Sequence, residues 1–184
     1  MGLRRAWKWI GKATRRAGGH PGGDSGEGDS AGGPKPGRGG PNDWPTLVIE
    51  AGYSETLRQL QTDMRWWFSA SNHDAKIVLL AKFDRARRRI IVERWEEDLP
   101  SPRPGATTTR GASVLGASGL RPKLQQSIKI TRSPMNPALY NVVDGPLVLP
   151  FRLLFLRAPG PGEHDVVISI PQLQEYATDV WTQV

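Results

Sequence analysis

The apolar run Leu47-Val48-Ile49 ends in a carboxylate, Glu50, and Ala51, Gly52 and Tyr53 follow before Ser54. A charged group at the end of a strand that is apolar on both faces either carries chemistry or is held in a structural pair. The chemistry open to it is that of hard oxygen ligands. Hydrolysis of a phosphodiester with Mg²⁺ needs two or three oxygens on the metal and a positive group near the attacking water or the phosphate. One arrangement that meets this need puts an Asp on one strand and a Glu on the next, with a Lys two residues after the Glu. Side chains at i and i+2 of a strand share a face, so Glu and Lys then address the same metal and phosphate. The structural alternative pairs Glu50 with Lys82, Arg58 or Arg65.

Other chemistries are poorly provided for. The chain has no Cys, which excludes disulfides, thiolate zinc sites and a Cys nucleophile. Its three His, His20, His73 and His164, are isolated from one another, so a His-based metal cluster is not expected. Ser54 and His73 lack a third member for a triad. Trp66-Trp67 read as packing residues in preference to a base-stacking platform.

The net charge of +7 is uneven. Residues 1–17 carry Arg4, Arg5, Lys8, Lys12, Arg15 and Arg16 and no acid, and the remaining 167 residues carry only +1. Within the rest, Arg85, Arg87, Arg88 and Arg89 form one cluster. These ten residues are the candidate phosphate contacts, because nucleic-acid affinity is largely electrostatic; a solvated turn is the plainer reading of "DRARRR". No apolar run approaches the ~18 residues of a membrane span.

The elements that must position Glu50 follow from the pattern. Residues 1–17 suit a basic amphipathic helix, with Leu3, Trp7, Ile10, Ala13 and Ala17 on one stripe. Such an arm could lie on an anionic membrane surface, touch nucleic acid or serve as an organelle presequence. Residues 18–42 hold 11 Gly and 4 Pro in 25 positions and are expected to be disordered, with the core beginning at Trp44-Pro45. A domain over 43–184 follows. Its expected elements begin with a strand over 46–51 and a helix over 55–70 capped by Ser54. Strands over 76–84 and 90–97, joined as a hairpin, come next. A flexible insertion over 99–124 precedes a strand over 127–132. Then come a short strand over 147–149 with a helical turn, a strand over 165–169, and a C-terminal helix with Leu173, Tyr176, Ala177, Val180 and Trp181 on one face. Strand, helix, strand in this order predicts a βαβ unit, and so an α/β fold with a small mixed sheet flanked by helices.

The residues "WPTLVIEAGYSE", "RWWF" and "KIVLLAKFD" resemble the PD-(D/E)XK, or restriction-endonuclease-like, superfamily. They look closest to a group of uncharacterised fungal proteins that is distantly similar to a bacterial nuclease family of that fold. The likeness covers roughly residues 43–97, and "YNVVDGPLVLPFRLLFLRAPGPGEHDVVIS" extends it toward the C-terminus. It implies a Mg²⁺-dependent phosphodiesterase acting on nucleic acid, with Glu50 as the Glu of the motif. Asp29, in "GDSAGGPKPGR", matches the Asp of the preceding strand. The motif Lys is missing: Gly52 stands two residues after Glu50, and Asp63 stands where bacterial relatives carry the Lys on the helix. The resemblance therefore implies a degenerate endonuclease scaffold with Asp29 and Glu50 as catalytic and metal-ligating residues. A non-catalytic binding or interaction module, associated with a membrane surface through the N-terminal arm, is the alternative. The setting expected is intracellular, cytoplasmic or nuclear, with an organelle presequence left open.

Overall fold

A computed structural model describes residues 6–11, 13–16, 25–38, 40, 43–99, 119–136 and 139–182. Eleven strands and three helices run β1 (Trp7–Ile10), β2 (Ala13–Arg16), β3 (Ser25–Gly28), β4 (Ser30–Pro34), β5 (Leu47–Gly52), α1 (Leu57–Ala70), β6 (Ile77–Asp84), β7 (Arg89–Asp98), β8 (Arg121–Arg132), β9 (Tyr140–Val143), β10 (Leu147–Leu149), α2 (Phe151–Phe155), β11 (Val166–Ile168) and α3 (Ile170–Thr182). Seven of the strands form one mixed sheet in the order β1-β4-β5-β6-β7-β8-β9. Only β5 and β6 pair in parallel, joined through α1; every other neighbour is antiparallel. The chain is α/β, as its strand–helix–strand pattern predicts.

The period of two sorts β5 and β6 between two cores. Val48, Val78 and Leu80 face α1 and pack with Leu60, Met64, Trp67 and Phe68. Leu47, Ile77 and Leu79 face the other way, onto Phe151, Leu154, Leu173 and Trp181 of α2 and α3. Each fully buried side chain of this size contributes roughly 1.5–3 kcal/mol, so both faces hold β5 and β6 firmly. Glu50 alternates with Val48 and so points to the α1 face, where it is 8% exposed.

The strands and helices expected from Trp44 onward are present, with shifts at their ends. The cap of α1 is Thr56, not Ser54: its hydroxyl accepts from Gln59 N at 3.2 Å, and the Gln59 side chain accepts from Thr56 N at 2.7 Å. This reciprocal capping box satisfies two helix-start donors that a lone serine two residues earlier cannot reach.

Three expectations are corrected. The described part of residues 1–17 is not a helix but strands β1 and β2, pairing with β4 and β3. Trp7 suits the period of two that it shares with Trp9 as well as the helical stripe, and a partner strand decides for the strand. Trp7 meets Phe155 edge-on at 5.4 Å, and β4 allows this because a Cβ on Gly32 would stand 2.6 Å from Trp7 Nε1. The membrane-surface alternative loses the helix on which it rested. Residues 25–38, expected to be disordered, hold β3 and β4, and Ala31 is 3% exposed. The core therefore includes chain well before Trp44. These strands are fixed by backbone pairing and by aromatic rings lying on glycine, not by apolar side chains of their own. Finally, residues 121–124 of the expected flexible insertion belong to β8, whose register with β7 shifts between Arg94 and Trp95 and then continues to Asp98–Arg121. Residues 100–118 lie outside the described residues. Among the described residues no helix is long and apolar enough to cross a membrane.

Candidate metal centre

The register of β4 and β5 brings the two expected carboxylates together. Ser30 pairs with Ile49, so Asp29, one residue before Ser30, falls beside Glu50 on the next strand. Asp29 Oδ2 accepts from Ala51 N at 2.8 Å, and the Asp29 backbone N–H lies near enough to favour the charged Glu50 carboxylate slightly. Glu50 Oε1 accepts from the buried Trp67 Nε1 of α1. An ionised carboxylate has about four lone-pair positions, so these donors orient both groups and leave each able to ligate a cation.

Both groups open into a cavity of about 670 Å³ lined by Gly26, Ala51, Leu60, Thr62, Trp66 and Trp67 and by the acids Asp29, Glu50, Glu55 and Asp63. Among the described residues none in the lining is Lys, Arg or His. Burial pushes the Glu50 carboxyl up to about 7, and the charges of Asp29 and Asp63 add to that push against the Trp67 and Asp29 N–H groups. Asp63 is itself raised by burial. Oxygen donors clustered without a compensating cation suit a hard divalent ion, so the residues present fit Mg²⁺, held by Asp29 and Glu50. Among the described residues no group of three or more His, Cys, Asp or Glu is placed to hold one metal ion.

The position of the motif Lys is closed. A Cβ on Gly52 would stand 2.8 Å and 3.1 Å from the two Leu60 methyls and 3.1 Å from Glu55 Oε2. The substitutes considered from the sequence do not fill the gap. Lys82 turns its Nζ to Tyr53 O at 2.8 Å and Phe83 O at 2.9 Å, and Arg58, Arg65 and Lys82 are all absent from the lining. Structural pairing of Glu50 with these cations is likewise not what the geometry shows; its partners are N–H groups.

The candidate phosphate contacts are dispersed. Arg87 and Arg89 both reach Asp84 Oδ2, at 3.2 Å and 3.0 Å. Arg88 lies over the Trp181 ring at 5.5 Å and donates to Trp181 O. Arg85 stands exposed in the same turn, and Arg15 donates to Asp43 O at 3.2 Å. Lys8 and Arg16 lie on β1 and β2, while Arg4, Arg5 and Lys12 lie outside the described residues. The arginine turn follows β6, whose Leu80 pairs with Glu50 and whose Asp84 is four residues further on, about 13 Å along the strand. It thus sits toward the same end of the sheet as the cavity.

Sequence reasoning missed the roles of Trp67 and Glu55. Trp67 was legible as an α1 residue seven positions after Leu60, hence facing the sheet, but nothing marked its N–H as the partner of Glu50. Glu55 reads as a first-turn acid and instead faces the cavity. Family models and curated proteins were both compared with the chain, and none matches.

Proposed function

We propose that the chain is a nuclease-derived domain with a restriction-endonuclease-like core, which keeps a two-carboxylate divalent-cation site but lacks the positive side chain that efficient phosphodiester cleavage needs. The observation that carries this reading is Asp29 beside Glu50 on adjacent antiparallel strands. α1 packs behind them, and a strand parallel to the Glu strand follows the helix. Bound Mg²⁺ supplies Lewis-acid polarisation of a phosphoryl oxygen and a more acidic water.

The chain's own residues do the rest. Ala51 N–H fixes Asp29, Trp67 N–H fixes Glu50, and the walls formed by Leu60, Trp66 and Trp67 limit water on one side. Four acids in the lining repel a phosphodiester until a cation is present, and among the described residues none in the lining stabilises charge developing on the phosphate. One missing electrostatic contributor of this kind lowers rate by ~10²–10³. A binding scaffold with slow or absent turnover is therefore the form of the function we assign. Nucleic acid is the partner proposed, with the N-terminal basic residues and the basic turn over 85–89 as its phosphate contacts.

The test is cleavage of plasmid and single-stranded DNA in Mg²⁺ or Mn²⁺ by wild type and Glu50→Gln, with metal binding measured in parallel. We expect metal binding that Glu50→Gln abolishes, and cleavage at or near background in both. Robust metal-dependent cleavage abolished by that substitution would overturn the degenerate reading and make Glu50 catalytic. Absence of metal binding in the wild type would overturn the site itself.

A further inference from the structure

Glu50 and Asp29 lie side by side where β4 meets β5, and α1 touches both segments through one tryptophan. Trp67 is 1% exposed. Its Nε1–H donates to Glu50 Oε1, and the benzene edge next to that nitrogen lies under β3: a Cβ on Gly28, next to Asp29, would stand 3.2 Å from Trp67 Cζ2. The adjoining Trp66 repeats the device, since a Cβ on Gly26 would stand 2.3 Å from its Cζ3. Trp67 is itself held edge-on by Trp44 and Trp66, at 5.9 Å and 5.0 Å between centroids.

We infer that Trp67 is the positioning residue of the carboxylate pair, orienting Glu50 through its N–H and seating the Gly28–Asp29 backbone on its ring so that both carboxylates face one cation. The glycines of the segment are then part of the site. Gly26 and Gly28 let two indoles approach the backbone that carries Asp29, and a side chain at Gly26 forces that backbone away. The inference rests on the divalent-cation reading above. Groups that orient metal ligands from behind typically change affinity 10–100-fold when removed.

The test follows the indole N–H itself. The chain has seven Trp, so ¹H–¹⁵N spectra show the Trp67 indole among six internal controls while Mg²⁺ is added. We expect the Trp67 Nε1–H resonance to move more than the other six in the wild type and to stay fixed in Glu50→Gln. Trp67→Phe keeps a ring and removes the donor; it should weaken Mg²⁺ binding by about 10-fold or more, while Trp9→Phe, on the other face of the sheet, leaves it within about 3-fold. The wild-type titration decides the matter even if Trp67→Phe fails to fold. Mg²⁺ binding with an unmoved Trp67 indole, or equal affinity in a folded Trp67→Phe, overturns the positioning role and leaves the carboxylate pair standing. A wild type that binds no Mg²⁺ overturns the pair and the positioning role together.

Discussion

Two buried glutamates share one face of the sheet and differ in what surrounds them. Glu50 on β5 and Glu93 on β7 both pair with Leu80 of the strand between them, and they are 8% and 5% exposed. Each is held by an indole: Trp67 Nε1 donates to Glu50, and Trp95 Nε1 donates to Glu93 Oε2 at 2.8 Å. There the likeness ends. Glu93 Oε2 also accepts from Gln61 Nε2 at 3.0 Å, and Glu93 is not in the cavity lining. Glu50 has Asp29 and Asp63 close enough to raise it, and it opens on 670 Å³ of space. Burial and an indole partner are therefore common to a structural carboxylate and a candidate ligand. What separates them is the company of other acids and room for an ion.

That contrast breaks most readily at Glu93. Glu93→Ala leaves the half-buried Gln61 and Trp95 donors without their acceptor, and unsatisfied donors together with lost packing cost about 1–3 kcal/mol. Urea denaturation at neutral pH should show that loss, with metal affinity unchanged in the folded fraction. A smaller loss than for Glu50→Ala would mean that Glu93 is not the structural member of the pair.

The opposite sign is expected at Glu50. Folded Glu50 binds its proton up to about pH 7, against an ordinary value of 4.5. Between those values the folded state holds more protons than the unfolded, so stability falls as pH rises, and the decline ends above about pH 7. Glu50→Gln removes this penalty. After discounting for solvent screening, the variant should gain of order 1–2 kcal/mol over wild type at pH 8 and almost nothing at pH 4.5. Denaturation at the two pH values checks it; a variant less stable than wild type at pH 8 would show that ionised Glu50 stabilises the fold.

A smaller effect sharpens the comparison from the ligand side. Mg²⁺ at about ten times its dissociation constant should stabilise the wild type by about 1.4 kcal/mol, roughly 4 °C in Tm. The gain should be larger at pH 8 than at pH 5.5, because ligands must be deprotonated. Thermal scans should show the same gain in Glu93→Gln and none in Glu50→Gln or Asp29→Asn.

How much of this was legible in the sequence depended on what each element buries. Leu47-Val48-Ile49, the Leu60–Met64–Trp67 spacing and Ile77–Ala81 announce β5, α1 and β6 because their own side chains form the two cores. Strands β3 and β4 announce nothing. Ser25–Gly28 and Ser30–Pro34 bring few apolar atoms and are fixed by neighbours' rings and by backbone pairing. Asp29 was thus found by likeness, while the element that carries it read as disorder. In β1 the helical stripe through Leu3, Trp7 and Ile10 masks the period of two in Trp7 and Trp9. Among the acids of the cavity, Asp63 drew notice only because it replaced an expected Lys, and Glu55 drew none as an acid of the site. Spacing along the chain cannot show that the loop before a helix turns back over a strand end.

The most direct measurement is titration of Mn²⁺ into the full chain at pH 8, read by loss of the free-ion electron paramagnetic resonance signal. The account predicts one weak site per chain, on the order of 10⁻⁴–10⁻³ M as suits few protein ligands, lost in Glu50→Gln and in Asp29→Asn and retained in Glu93→Gln. A wild-type chain that leaves the Mn²⁺ signal free at millimolar concentration, or a Glu93→Gln variant that loses binding as completely as Glu50→Gln, would contradict it.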